Sequence, residues 1–309
     1  MVKPDTATQP GGQNLSRRVY RLTQRHRHWF FIAPALLILL AVVIYPIVFS
    51  TGVSLFRVTF ASTSRPFVGL QNFQRMLGND DFLQSAFNTL YYVVFSVSGS
   101  FLLGFGAALL IRRISRGRDI LRLILIIPIT MAPIVVGLMW NWMLDPLFGL
   151  INWFLGLLGI PGQTLLAQAS TARLMVVLVD IWQWYPLVFL IIEAGMATLP
   201  RAPYESARLE GVSSWMIFRR ITLPMLRPVI LVALLLRTVD AFRTFDIVRV
   251  MTDGGPALTT ETLSLYLYRT AFTFNKLSRA AAGSILMLLV IGLISAMMLR
   301  FLYKDIEVG

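Results

Sequence analysis

Apolar residues gather in six runs, at positions 29–49, 86–111, 120–144, 174–197, 228–251 and 283–303, with more polar intervals between them. As helices, all six are long enough to cross a hydrocarbon core roughly 30 Å thick. The pattern therefore predicts an all-α integral membrane protein with six transmembrane helices. The fifth run is the least apolar, because it contains Arg237, Asp240, Arg243 and Asp246. Composition points the same way: the 309 residues are 56% hydrophobic and 14% charged. A soluble domain usually carries about a quarter charged residues.

Basic residues set the expected orientation. The tail 1–28 contains Lys3, Arg17, Arg18, Arg21, Arg25 and Arg27, and the interval after the second run contains Arg112, Arg113, Arg116, Arg118 and Arg122. Arg201, Arg208, Arg219, Arg220 and Arg227 lie in the interval between runs four and five, and Arg300 and Lys304 lie near the end. With six crossings these regions share one side, and the positive-inside rule makes it the cytoplasm. Both termini are thus expected there, around a permease domain at 29–303 with a basic tail at 1–28 and a short one at 304–309. The stretch "YPIVFSTG" offers no small-x-small cleavage site, so the first run reads as an uncleaved span. Residues 1–16 read as a disordered leader. Asp145 to Gly162, apolar with Gly and Pro breaks, reads as an interfacial helix on the opposite surface.

Much chemistry is excluded. There is no cysteine, and His26 and His28 both lie in the basic tail, so thiolate metal sites and Ser/His/Asp triads have no material. A phosphate-binding loop needs Gly-Lys-Ser/Thr, yet the lysines are Lys3, Lys276 and Lys304, none of which follows glycine. The sequence predicts no catalytic residue, metal site or cofactor. The net charge of +13 comes largely from arginines beside the spans, which argues for membrane lipid and against nucleic acid as a partner.

One soluble stretch interrupts this pattern between runs four and five: "YESARLEGVSSWMIFRRITLP", residues 204–224. Pro203 suits a first helical position and Glu205 the positive end of a helix dipole. Residues 205–210 then form a short helix, Gly211 turns the chain, and Ser213 or Ser214 caps a second helix that Pro224 ends. Trp215, Phe218 and Ile221 recur on it at helical spacing. Two readings fit: an amphipathic linker on lipid headgroups, or a rigid knuckle that docks into another protein.

Glu205, Ala207, Gly211, then nine residues to Ile221, Leu223 and Pro224, resembles the EAA signature of membrane-spanning permease subunits of binding-protein-dependent ABC importers. Ser206 stands where alanine is usual and Glu210 where aspartate is common. "FNTLYYVV" and "TDGGP" followed by "LTTETLSLYLYRTAF" resemble the sugar-type branch, which includes maltose and glycerol-phosphate permease subunits. The resemblance implies a type I ABC importer permease fold in a bacterial or archaeal plasma (inner) membrane. It implies that the loop 198–227 is a coupling element seated in a cytoplasmic ATPase through Glu205, Ser206, Ala207, Glu210, Gly211, Trp215, Phe218, Ile221, Leu223 and Pro224. It also implies as partners a second permease subunit, two ATPase subunits and an extracytoplasmic solute-binding protein.

Candidate pathway residues come from the spans, where ionisable groups usually face protein or water. Asp180, Trp182, Gln183, Trp184 and Tyr185 combine aromatic faces with hydrogen-bonding groups, as sugar sites do; the alternative is an interfacial aromatic belt. Asp240, Arg243 and Asp246 either line a cavity or belong to a ladder of ion pairs spaced by three from Arg237 to Arg249. The function expected is import of a sugar or sugar derivative. The alternatives are the same importer for a polyamine, phosphate ester or other solute, an ion-coupled secondary transporter, and a membrane enzyme using acidic residues within its spans.

Overall fold

The computed structural model describes residues 32–58 and 64–306, and nothing follows for the side chains beyond Phe301. The basic tail 1–28 with its leader 1–16, the start of the first run and the last residues of the C-terminal tail lie outside the described residues. The chain divides into two compact units, residues 1–53 and 54–309. The first contributes an apolar helix, α1 (Ile32–Ser54), with a π-helical stretch at Leu40–Ile44.

In the second unit, helix α2 (Gln71–Leu77) is followed by the long α3 (Asp80–Ile111), α4 (Arg118–Thr130), α5 (Pro133–Met143) and the short α6 (Leu150–Leu157). Then come α7 (Ala169–Ala197), α8 (Ala202–Leu209), the continuous helix α9 (Ser214–Phe242), α10 (Asp246–Met251), α11 (Leu263–Tyr268) and α12 (Leu277–Ile306). Among the described residues there is no β-strand, only an isolated bridge between Phe56 and Phe67. Five helices are each long and apolar enough to cross a membrane, and there are six if the bent pair α4 and α5 is counted as one span. α12 continues to Ile306, past the expected start of the C-terminal tail at 304.

The run at 120–144 is not one continuous helix: α4 and α5 meet at an angle of 97°. Met131 and Ala132 are extended, with ψ of 139° and 137°. Proline disfavours the α region in the residue before it, so Pro133 holds Ala132 out of the helix. Lipid-exposed broken backbone is costly, and here the freed carbonyl is met: Gln183 Nε2 donates to Met131 O at 3.1 Å.

The helix that carries the fifth run differs from it at both ends. It begins at Ser214, ahead of the run's start at 228, and stops at Phe242, short of 251. Pro224 does not end the preceding element as expected. The turn ahead of it, Phe218–Thr222, widens to π geometry, with Leu223 N bonding to Phe218 O, and the helix passes through. Such widening relieves the contact between a proline ring and the preceding turn. At the far end, side chains take the last carbonyls: Thr262 Oγ1 donates to Thr244 O at 3.1 Å and Ser264 Oγ to Phe242 O at 3.4 Å. The row from Arg237 to Arg249 therefore does not lie on one helix. α10 packs against α5 instead, where a Cβ on Gly137 would sit 3.1 Å from Val250 Cβ.

The core is a parallel crossing of α3 and α7. Small residues on α3, at Ser96, Gly99, Ser100, Gly104 and Ala108, let the two backbones approach. A Cβ on Gly104 would lie 2.6 Å from Tyr185 O and 2.8 Å from Phe189 N, atoms that cannot rotate away. Gly104→Val is expected to push the helices apart and destabilise the bundle by about 1–3 kcal/mol. Thermal unfolding in detergent checks this, and a native-like midpoint would contradict the crossing.

Candidate functional site

Where α3, α7 and α9 meet, the interior is ionic. Asp180 on α7 and Arg237 on α9 are both fully buried and paired. Ser96 donates to Asp180 and accepts from Arg237 Nη2 at 2.7 Å. Arg237 also reaches Ser100 Oγ at 3.4 Å and Asp240 Oδ2 at 3.1 Å, and its guanidinium lies 5.8 Å from the centre of the Trp184 ring. A buried charge without a partner is costly, so this cluster fixes the mutual position of three spans.

Beside the pair opens a small cavity of about 80 Å³, lined by Trp184, Asp240, Arg243 and Asp246 with Pro133 and Ile247. The structure thus brings together four of the predicted pathway residues from α7, α9 and the start of α10. It places the others elsewhere. Asp180 is enclosed by its partners, Gln183 holds the α4–α5 break, and Trp182 packs edge-on to Trp140 at 5.6 Å. Tyr185 is half-buried beside Gly104. An aromatic face beside two carboxylates and a guanidinium can cover C–H groups while exchanging hydrogen bonds with hydroxyls.

The end of the bundle where α7 finishes carries the soluble element. Pro203 stands in the first turn of α8, and the helix closes in a Schellman cap: Val212 N bonds to Ala207 O at 3.0 Å and Gly211 N to Arg208 O at 3.1 Å. Gly211 has φ of +74°, which disfavours a side chain. Ser213 caps the following helix through a long bond to Met216 N, 3.4 Å. Tyr204 Oη donates to Thr222 Oγ1 at 3.1 Å and ties the two arms into one elbow.

Within this elbow Ala207 is buried, Glu205, Ser206 and Glu210 are exposed, and Leu223 and Pro224 lie on the exposed side of α9. The three apolar residues at helical spacing divide. Phe218 and Ile221 turn partly inward, with the Phe218 ring 6.2 Å from Phe105 on α3, whereas Trp215 is 68% exposed. Leu209, on the other arm and so outside that spacing, is 90% exposed.

Two further clusters flank the spans. Glu193, nearly buried at the elbow end of α7, is held by Arg118 at 3.0 Å and Arg122 at 2.8 Å on α4. These arginines had read only as an orientation signal. At the opposite end, the segment 252–262 folds onto the bundle: Asn88 Nδ2 donates to Leu258 O at 2.7 Å and Arg173 Nε to Thr259 O at 2.7 Å. There burial pushes the Glu261 carboxyl above its ordinary range, against the pull of Arg269 at 2.9 Å.

Membrane helices packed round an ionic crossing, with a rigid elbow projecting at one end, are the build of a transport permease. The chain belongs to the family of binding-protein-dependent transport system inner membrane components, whose sequence model matches residues 100–308. It is 35% identical over 274 residues to the trehalose/maltose transport system permease protein MalF of Thermococcus litoralis, covering 89% of this chain and 92% of that one. It is 32% identical over 272 residues to the sulfoquinovosyl glycerol transport system permease protein SmoG of Agrobacterium fabrum, covering 88% of each. The sn-glycerol-3-phosphate permease protein UgpA of the same organism is 32% identical, covering 91% of this chain and 96% of that one. The fold matches a chain in the crystal structure of a bacterial ABC transporter for the acidic polysaccharide alginate, with a TM-score of 0.81 over 93% of this chain and 99% of that chain, at 22% identity.

Proposed function

We propose that this chain forms half of the pathway of an ATP-driven importer for a sugar or sugar derivative. The observation that carries the cargo class is likeness, over nearly the whole chain, to permeases named for trehalose/maltose and sulfoquinovosyl glycerol. In this reading the elbow 198–227 faces the cytoplasm, as do both termini, and seats in one of two separate ATPase subunits. A second permease completes the pathway and an extracytoplasmic binding protein delivers the solute. That the structure of the alginate transporter exists with a pentasaccharide-bound periplasmic protein agrees with such a delivery step.

The geometry supplies a mechanical link. One helix, Ser214–Phe242, runs from the tip of the elbow past Arg237 to the polar cavity at Asp240. At 1.5 Å per residue its 29 residues span about 43 Å. A push on the elbow is carried along that helix as rigid-body rotation, which alternates access to the cavity between the two sides. Trp184 with Asp240, Arg243 and Asp246 then offers this subunit's share of the sugar contacts.

The test is reconstitution. With its partners and a solute-loaded receptor, the complex is expected to hydrolyse ATP faster for one sugar class and to accumulate that sugar. The purified chain alone is expected to show no sugar flux. ATP-independent flux by the isolated chain, or uptake abolished by a proton uncoupler with ATP intact, would overturn this reading.

A further inference from the structure

At the end of the bundle away from the elbow, four cations from three separate stretches surround one cavity. Arg57, Arg75, Lys276 and Arg279 line a space of about 270 Å³ with Val58, Asn72 and Ser278. Arg75, Lys276 and Arg279 also line an adjoining space of about 210 Å³, whose lining includes the carboxylate of Asp81. Among the described residues, no ion pair links a carboxylate to any of the four. Arg57 has a long contact to Gln71 Oε1 at 3.5 Å, and Lys276 lies over the Phe274 ring at 5.6 Å.

The arrangement is built into the packing. Buried Asn72 donates to Ser54 O at 2.7 Å and to Phe56 O at 2.9 Å. Buried Ser278 accepts from Val58 N at 2.6 Å. These two side chains pin the 54–58 segment to α2 and α12, which brings Arg57 to the cavity it shares with Arg75 and Arg279. Crowding like charges is unfavourable, and it is more so here because Arg279 stands in the first turn of α12, the positive end of a helix dipole. An anion in the cavity offsets these terms, because it is attracted to each cation and to the helix end.

The depth of the site selects the anion. α12 is a membrane span whose first residue is Leu277, so Lys276 and Arg279 stand at the boundary between hydrocarbon and headgroups. Phe274, which lines the adjoining space, is 57% exposed, and Leu70 and Leu77 at the ends of α2 are 66% and 53% exposed. Cations beside bare apolar side chains at that depth match a molecule with a phosphate above an acyl chain. We infer that Arg57, Arg75, Lys276 and Arg279 bind the phosphate of an anionic phospholipid in the leaflet opposite the elbow.

Free phosphate offers the same chemistry without the chain, and the experiment separates the two. The full chain, purified in detergent and stripped of lipid, is titrated at constant ionic strength with phosphatidylglycerol, phosphatidylcholine or inorganic phosphate. Thermal unfolding and native mass spectrometry are the readouts. Phosphatidylglycerol is expected to raise the midpoint and stay bound, and the other two are not. Arg57→Gln with Arg75→Gln is expected to weaken that binding about tenfold or more. Arg112→Gln with Arg113→Gln, an equal charge loss at the elbow end, should leave it unchanged. Should the first double variant not fold, Arg279→Gln alone serves, with a several-fold loss expected. Unchanged lipid binding in Arg279→Gln or in the Arg57/Arg75 variant overturns the site. Equal stabilisation by inorganic phosphate overturns its assignment to lipid.

Discussion

Arg237→Met should cost the bundle about 3–5 kcal/mol, the usual penalty for leaving one member of a buried ion pair alone. Arg237 touches Asp180, Ser96, Ser100 and Asp240 at once, so its loss strands a fully buried carboxylate between α3 and α7. The expected signs are a lower unfolding midpoint, a poor yield from membranes and faster proteolysis of the folded chain. Arg237→Lys keeps the charge but has a single ammonium for partners arranged around a fork, and should fall between. Asp180→Asn combined with Arg237→Met removes both charges and is expected to be more stable than Arg237→Met alone. That recovery is the decisive measurement, because a double-mutant cycle isolates the pair from the packing of either side chain. If Arg237→Met matches the native midpoint, the ionic crossing does not hold the three spans.

How far the chain could be read before folding depends on which solvent or neighbour imposed each feature. Lipid imposes long apolar helices, so hydropathy alone located the six runs. The bend at Met131 was written in Pro128 and Pro133, but a hydropathy window averages over prolines, and the run looked unbroken. Beyond its local closing bonds, the end of α9 is met by Thr262 and Ser264, side chains that return from a later segment. Pairing of Asp180 with Arg237, or of Glu193 with Arg118 and Arg122, likewise needs the tertiary arrangement, so the sequence showed charged residues without showing partners. In the elbow the turn at Gly211 was legible because glycine is the residue that tolerates such a φ. Pro224 was misjudged because a widened turn can carry a helix through proline. The cavity at Trp184 was legible by residue type only, since a helix end and a chain reversal are what gather Asp240, Arg243 and Asp246 around it.

Gly211→Pro should abolish solute-stimulated ATP turnover in the reconstituted complex while leaving insertion and the amount of chain in the membrane unchanged. Proline fixes φ near −65°, against the +74° found here, and has no N–H for the bond to Arg208 O. The Schellman cap is lost, and α8 and the start of α9, which carry the exposed Leu209 and Trp215, change their mutual angle. A Cβ at Gly211 meets nothing within 4 Å, so the new ring strains the turn without clashing with a span. Gly211→Asn provides the control: asparagine tolerates the left-handed region, so most of the stimulation should survive. Glu205→Arg tests the surface rather than the shape. Glu205 is exposed in the first turn of α8, and reversing its charge should weaken capture of the ATPase about tenfold or more if it meets a cationic group there. A turn that only rests on headgroups would behave otherwise, since an added arginine strengthens contact with an anionic membrane and leaves turnover intact. Wild-type stimulation in both Gly211→Pro and Glu205→Arg would therefore remove the elbow from the coupling path and leave it as a linker.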